Sequence, residues 1–149
     1  MDRHDTDEAP IRIGKIEIRY LVDGSHTRQP GMFEMTLPPA CNVPPPHSHK
    51  QSDELVYVLE GRLRHVMDGV VRHLNAGDTI FTPRGSVHAF SNPFCEPVRT
   101  LTVLTPDIGA AYFLDAAEVV NAGDPPDRDR LKKVMRRYGL TMPRAAAYV

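Results

Sequence analysis

Between about residue 11 and residue 105, apolar and β-branched residues recur in short runs with turn residues between them. This pattern is typical of an all-β barrel or sandwich and argues against strands that alternate with helices. Asp68-Gly69 separates two of the runs and predicts a tight hairpin. The predicted strands are Ile11–Val22, Met32–Leu37, Glu54–Leu59, Leu63–Met67, Val70–Leu74, Thr79–Phe81, His88–Ser91 and Val98–Leu104.

Prolines interrupt this pattern immediately before two candidate functional residues. Pro38-Pro39 and Pro44-Pro45-Pro46 cannot donate hydrogen bonds to a sheet, so we predict a rigid loop that leads into His47. Pro83-Arg84-Gly85 predicts a tight turn that delivers His88 at the start of its strand.

After Pro106 the apolar residues change to helical spacing. Residues 107–122 predict a helix that is capped near Asp107. A second helix is predicted with Asp124 as its N-cap and Pro125 at its first position, and it should end at Gly139. The pair either packs against the outside of the barrel or forms a lid over its mouth or a dimer contact.

Length and composition predict one domain over residues 1–149, with the barrel from about 11 to 105 and the helical segment from about 107 to 139. The net charge of −1, with acidic and basic residues interspersed, gives no reason to expect nucleic acid or an anionic membrane as a partner. No apolar stretch is long enough to span a bilayer, and the first residues lack the features of a signal peptide. We therefore expect a cytoplasmic protein.

Two cysteines, Cys41 and Cys95, form neither a CxxC motif nor a disulfide-dense pattern. We expect both to be buried thiols in a reducing compartment.

Two stretches carry residues that bind metals, and their spacing suggests a common site. His47 and His49 are two residues apart, so on a strand both side chains point to the same face. Glu54 would come from the next turn or strand, and His88 from a strand paired beside the first two histidines. Three imidazoles and a carboxylate suit a first-row divalent ion that keeps positions open for water, oxygen or substrate.

The order and spacing of these residues resemble the two motifs of the cupin superfamily. In the first, His47-x-His49 is followed after four residues by Glu54 and after six more by Gly61. The glycine that opens this motif in the family is replaced by Cys41. The second motif is complete, with its members at Gly77, Pro83, Gly85, His88 and Asn92.

The resemblance implies a double-stranded β-helix (jelly-roll) barrel that is followed here by the two predicted helices. It also implies that His47, His49, Glu54 and His88 hold one divalent transition metal: Fe, Mn, Ni or Zn. Many small cupins pair through N-terminal strands, and Ile11–Val22 is long and apolar, so a homodimer is expected.

The remaining histidines do not share these spacings. His4, His26 and His73 lie in polar surroundings, and we expect all three at the surface. His65 alternates with Leu63 and Met67, so it either faces the barrel interior, near the metal or the substrate, or is an ordinary strand residue.

A fold of this kind hosts many functions. The complete three-histidine, one-glutamate set resembles that of quercetin-dioxygenase-like cupins, which implies a dioxygenase acting on a small enolic or phenolic molecule in the barrel. Glu54 would be a ligand or the catalytic general base. A non-oxidative isomerase or cyclase and a non-enzymatic binding protein remain alternatives. The candidate apolar walls, each equally explained as plain core, are Phe33, Met35, Val56, Val58, Phe81 and Phe90.

Overall fold

A computed structural model describes residues 9–144, so His4 lies outside the described residues. The all-β barrel with two following helices is confirmed. The strands are β1 (Ile11–Ile13), β2 (Ile16–Val22), β3 (Gly31–Leu37), β4 (Cys41–His49), β5 (Asp53–Glu60), β6 (Arg62–Met67), β7 (Val70–Asn75), β8 (Thr79–Thr82), β9 (His88–Asn92), β10 (Val98–Thr105) and β11 (Leu140–Thr141). The helices are α1 (Ala110–Asn121) and α2 (Arg128–Arg137).

The strands form two antiparallel sheets. One has the order β1-β2-β3-β10-β5-β8 and the other the order β11-β4-β9-β6-β7. Buried and less buried residues alternate along β3 and β10, as a strand with one face on a core requires. The buried faces of both sheets contribute to one hydrophobic core.

The predicted strand Ile11–Val22 is in fact two strands. Gly14 has a φ of +57° and, with Lys15, turns the chain, so that Ile13 lies opposite Ile16. Apolar residues alternate on both arms of this hairpin, which is why the turn was missed. Ile13, Ile16 and Ile18 point inward and are part of the barrel's own buried core. Their side chains need no second chain to cover them.

The predicted proline loop before His47 is wrong. Residues Pro44-Pro45-Pro46 lie within β4, and the pairing of β4 with β9 breaks between Val43 and His47. The φ angle of proline is compatible with a strand, although proline has no N–H to donate to a neighbouring strand. It therefore fits a strand at positions where no such hydrogen bond is made.

Two side-chain placements also differ from expectation. Cys41 is buried as predicted, but Cys95 is exposed in the turn between β9 and β10. Phe81 is 52% exposed, because its neighbours Ile80 and Thr82 take the inward positions of β8.

Both helices start later than predicted. The first begins at Ala110 after Gly109 rather than near Asp107. The second begins at Arg128 with Asp127 as its N-cap. Asp127 accepts hydrogen bonds from the N–H groups of Asp129 and Arg130, whereas Pro125 precedes a second proline and is disfavoured from helical conformation.

The helices and β11 cover one end of the barrel. Helix α1 packs against β1 and α2, and α2 packs against β11. Strand β11 pairs with β4 so that Leu140 lies opposite His49. Within the described range, neither helix has the length and apolar character that crossing a bilayer requires.

Candidate metal centre

Three histidines converge inside the barrel. His47 and His49 occupy alternate positions of β4 and are both buried. His88 opens β9, which pairs with β4 so that His88 lies directly opposite His47. Each of the three imidazoles offers a nitrogen within 4.8 Å of the others, so these buried histidines can bind a metal ion.

Glu54 reaches the histidines from the other sheet. It is buried on β5, and its Oε2 lies 3.4 Å from His49 Nε2 while its Oε1 lies 3.4 Å from His88 Nε2. The expectation that this carboxylate arrives from the next strand is therefore confirmed. Both sheets contribute to the cluster, which forms only when the barrel is closed.

Backbone carbonyls orient two of the imidazoles. Nδ1 of His47 lies 3.0 Å from the carbonyl of Pro45, and Nδ1 of His88 lies 3.0 Å from that of Ser86. A carbonyl can only accept, so each Nδ1 carries a proton, and Nε2 is the nitrogen left to bind a metal. Metal-ligating histidines typically have their second nitrogen bonded in this way.

The turn before His88 is fixed from two sides. The N–H of Gly85 donates to the carbonyl of His49 at 2.8 Å, with Gly85 at a φ of +86° that favours glycine. Arg84 donates from its backbone and guanidinium to the Asp53 carboxylate, at 2.9–3.1 Å. The predicted tight turn is thus confirmed, and it ties β9 to the strands that carry His49 and Glu54.

Several polar atoms of the cluster have no hydrogen-bond partner. They are both ring nitrogens of His49, Nε2 of His88 and Oε1 of Glu54. Leaving buried polar atoms unsatisfied costs about 1–3 kcal/mol each. A cation bound among them would take one lone pair each from His49, His88 and Glu54, so the donor set fits a divalent transition metal.

Charge and burial set the protonation of these groups. Burial by itself raises the pKa of Glu54, but the neighbouring His88 and His49 outweigh it and hold that pKa well below its usual range. Burial, with His88 and His49, holds the pKa of His47 well below its usual range. Burial also lowers the pKa of His88, but Glu54 outweighs burial there and the net pKa is raised. Glu54 is therefore an anion at neutral pH, and His47 is a neutral donor.

A partly enclosed cavity of about 100 Å³ extends from the cluster toward the helices. We call it the apolar cavity, because apart from His47, His49, Glu54 and Thr102 its walls are largely hydrocarbon. Its other lining residues are Ile13, Ile16, Ile18, Phe33, Met35, Pro45, Phe90, Leu104, Ile108, Tyr112, Phe113, Ala116, Val120, Leu131, Met135 and Leu140.

This lining corrects and extends the predicted walls. Phe33, Met35 and Phe90 line the cavity as expected, whereas Val56 and Val58 are buried core residues outside the lining. The residues from β1, β2, α1 and α2 were not assigned to the cavity. Their apolar spacing was visible, but it does not say what the apolar face of an element covers. The lining answers this: the helix pair lies over the end of the barrel that contains the cluster.

Other motif residues have structural roles. Asn92 is buried and its side-chain N–H groups contact the carbonyls of Leu37, Pro38 and Glu96, at 2.8–3.2 Å. At Gly61, where φ is +79°, a Cβ would approach the carbonyl oxygen of Pro97 to 2.3 Å. These residues hold the loops at the end of the barrel away from the helices.

Of the remaining histidines, His26 and His73 are exposed as predicted. His65 is fully buried and its ring stacks on that of His88 with 6.2 Å between centroids. Neither of its ring nitrogens has a partner, and burial followed by His88 lowers its pKa to about 4. His65 therefore faces the barrel interior, which is one of the two placements that its position on the strand allowed.

Comparison with known proteins places this geometry in a family. Residues 33–104 match the family described as the cupin domain, which spans both motifs. The chain is 26% identical over 104 residues to a germin-like protein, subfamily 2 member 3, from Arabidopsis thaliana. The match covers 66% of this chain but only 46% of that protein, so the chain corresponds to less than half of its relative's length.

Two solved structures share the barrel. A protein from Thermotoga maritima, described as a predicted oxalate decarboxylase, has a TM-score of 0.64 and 26% identity, with 72% of this chain and 100% of that chain covered. A cupin described as a sugar phosphate isomerase from Silicibacter pomeroyi has a TM-score of 0.56 and 28% identity, with 64% and 62% covered. With its two motifs, its two-sheet barrel and these matches, the chain belongs to the cupin superfamily.

Proposed function

We propose that this protein is a metal-dependent, dioxygenase-type oxidoreductase of the quercetin-dioxygenase-like kind that acts on a small enolic or phenolic molecule. The observation that carries the proposal is the position of the cluster: His47, His49 and Glu54 line a partly enclosed apolar cavity, and His88 lies beside them. These four residues would be the ligands of a single Fe, Mn, Ni or Zn ion. When bound, the metal would supply Lewis acidity and open positions for substrate and dioxygen.

The chain's own groups suit an enolic or phenolic substrate. Glu54 is ionised and has one carboxylate oxygen without a hydrogen-bond partner, so that oxygen is free to accept the hydroxyl proton. The lowered pKa of Glu54 also makes it a weak base in the metal-free protein, so the base role requires that the histidines bind the metal instead. The apolar walls would hold the carbon skeleton and exclude water. The cavity of about 100 Å³ is smaller than the cavity of about 150 Å³ that binds benzene, so an aromatic substrate would enter only if the apolar walls move apart.

A non-oxidative isomerase or cyclase is the second candidate, favoured by the likeness to the cupin described as a sugar phosphate isomerase. Glu54 beside a metal could serve that chemistry equally well. However, among the described residues no lysine or arginine lines the apolar cavity, so nothing in it would neutralise a phosphate. A non-enzymatic small-molecule-binding cupin is the third candidate.

Oxygen consumption separates these candidates. Protein reconstituted in turn with each metal would be supplied with acetylacetone as an enol and with phenol and catechol as phenols. Oxygen uptake that disappears in His88→Ala would support the dioxygenase. Substrate turnover without oxygen uptake would favour the isomerase or cyclase, and binding without turnover would favour the binding protein.

We also propose a cytoplasmic homodimer, with an interface different from the predicted N-terminal strands. The outer face of the six-stranded sheet carries exposed Leu55, Tyr57 and Phe81, and Leu55 lies opposite Phe81 in the pairing of β5 with β8. The ion pairs Arg84–Asp53 and Arg99–Glu60 flank this surface. A two-fold axis through this surface would pair its apolar residues with the same residues of a second copy and leave the ion pairs at the rim.

A further inference from the structure

A second cavity, of about 450 Å³ and open to solvent, lies beside the metal centre at the C-terminal end of α2. Four basic side chains line it: Arg28, Lys50, Arg136 and Arg137. We call it the cationic cleft. The basic residues come from three separate segments, namely the loop before β3, the turn after β4 and the last turn of α2.

Positive charge predominates in the cationic cleft. Arg137 pairs with Asp115 at 3.3 Å. In the part of the chain that the structure describes, Arg28, Lys50 and Arg136 form no ion pair. One carboxylate, Asp107, also lines the cleft and offsets part of this charge; it accepts hydrogen bonds from two neutral groups, the hydroxyl of Tyr20 and the N–H of Gly24. A chain with a net charge of only −1 thus gathers three unpaired cations in one place.

A simpler explanation covers only part of the cluster. Arg136 and Arg137 lie in the last turn of α2, where basic residues offset the negative end of the helix dipole. Arg28 and Lys50 belong to loops and have no such role. Like charges that converge repel each other, so their convergence favours a bound anion.

The cleft is also held in place by hydrogen bonds between its segments. The N–H of Lys50 donates to the carbonyl of Gly139 at 2.9 Å, and that of Asp107 donates to Gln29 at 3.0 Å. Arg28 has a φ of 56°, in the left-handed region that side chains disfavour. This conformation ends the short 3-10 turn Ser25–Thr27, where the N–H of Arg28 bonds to the carbonyl of Ser25.

The cationic cleft and the apolar cavity share two lining residues, His49 and Ile108. We propose that the cationic cleft is a binding site for an anionic group, a carboxylate or a phosphate, beside the metal centre. A group bound in the cleft would be separated from the apolar cavity by these two shared residues. Among the described residues, no lysine or arginine lines the apolar cavity.

Titration calorimetry of the full chain at low ionic strength tests this, with inorganic phosphate and acetate as separate probes. Lys50→Gln and Arg136→Gln should each weaken binding at least tenfold. Lys133→Gln is the matched control, because Lys133 is exposed on the same helix and lines neither cavity. It should bind within twofold of the wild type. Equal weakening in the control, or no saturable binding of either anion, would overturn the proposal.

The same titration on His88→Ala separates the cleft from the metal. Binding that persists in this variant belongs to the cleft, and binding that disappears belongs to a bound metal and refutes the site.

A last comparison distinguishes the source of the anion. If 3-phenylpropionate binds more tightly than acetate and Ala116→Leu removes the gain, the anionic group belongs to a ligand that also occupies the apolar cavity. Phosphate binding without such a gain assigns the cleft to a free anion.

Discussion

Glu54 and His88 lie on strands of opposite sheets, and Oε1 of Glu54 meets Nε2 of His88 at 3.4 Å inside the barrel. The carboxylate raises the pKa of His88 against the effect of burial, while His88 and His49 lower the pKa of Glu54 against the same effect. The two groups therefore stabilise opposite charges in the metal-free protein. A metal would replace that attraction by binding to both.

Glu54→Gln should separate the ligand role from the base role. If Glu54 is the general base, reconstituted Glu54→Gln keeps its metal but loses turnover by about 10²- to 10⁴-fold. Metal analysis and oxygen uptake measure the two effects. Glu60→Gln, at an exposed position of the same strand, is the control and should be normal in both. Near-normal rates in Glu54→Gln would exclude the base role.

The same substitution should lower the pKa of His88 in metal-free protein, because Glu54 is the group that raises it. NMR titration of the imidazole resonances measures this directly and requires no substrate. An unchanged pKa would mean that the carboxylate does not contact His88 in solution.

His49→Ala and His88→Ala should each abolish stoichiometric metal binding while the fold survives. Each variant removes one of three convergent nitrogens, and the matched control His73→Ala changes an exposed histidine. Elemental analysis and circular dichroism give metal content and folding. Because only neutral imidazole binds a metal, the wild type should also release it as pH falls near or below about 6.5. Full metal content in both alanine variants would refute the assignment.

His65 should make the metal-free protein sensitive to acid. Its pKa is about 4 in the folded chain and about 6.5 when unfolded, so the unfolded state binds more protons between these values. The contribution of His65 to the free energy of unfolding is fully present above a pH of about 6.5. It is lost progressively as pH decreases toward about 4, by at most about 3 kcal/mol. Urea unfolding at several pH values should show a smaller decrease for His65→Gln. An identical decrease in both proteins would contradict the prediction.

Self-association should depend on the outer face of the six-stranded sheet. Phe81→Arg and Leu55→Arg place a charge on the proposed interface and should convert a dimer to a monomer in light scattering. Val71→Arg adds the same charge at an exposed position of the other sheet and should leave the dimer intact. A monomeric wild type at micromolar concentration would end the proposal.

The cluster was predictable because its spacings are local consequences of strand geometry. Alternation places His47 and His49 on one face, and the turn at Pro83-Arg84-Gly85 determines where His88 enters its strand. That Glu54 and His88 join them depends on long-range strand pairing, and this was expected from the resemblance to the cupin motifs rather than from local geometry.

Features that depend on distant contacts were not predictable in this way. Leu140–Thr141 is too short to show a strand pattern, and it is a strand because β4 offers it an edge. Phe81 was expected inside because it is aromatic, whereas its position in the pairing of β5 with β8 turns it outward beside Leu55. The function of the helix pair was open for the same reason, since an amphipathic helix does not specify the surface that it covers.

Strand β11 connects helices α1 and α2, which cover the end of the barrel, to strand β4, which carries His47 and His49. Leu140 of β11 pairs with His49, and the N–H of Lys50 donates to the carbonyl of Gly139. A ligand too large for the cavity of about 100 Å³ would have to move its walls, and displacement of α2 would shift the backbone that carries His49. Ligand entry and metal affinity would then be thermodynamically linked, and the linkage would act equally in both directions. A protein that has lost its metal would accept bulky molecules more readily, and a bulky molecule would loosen the metal.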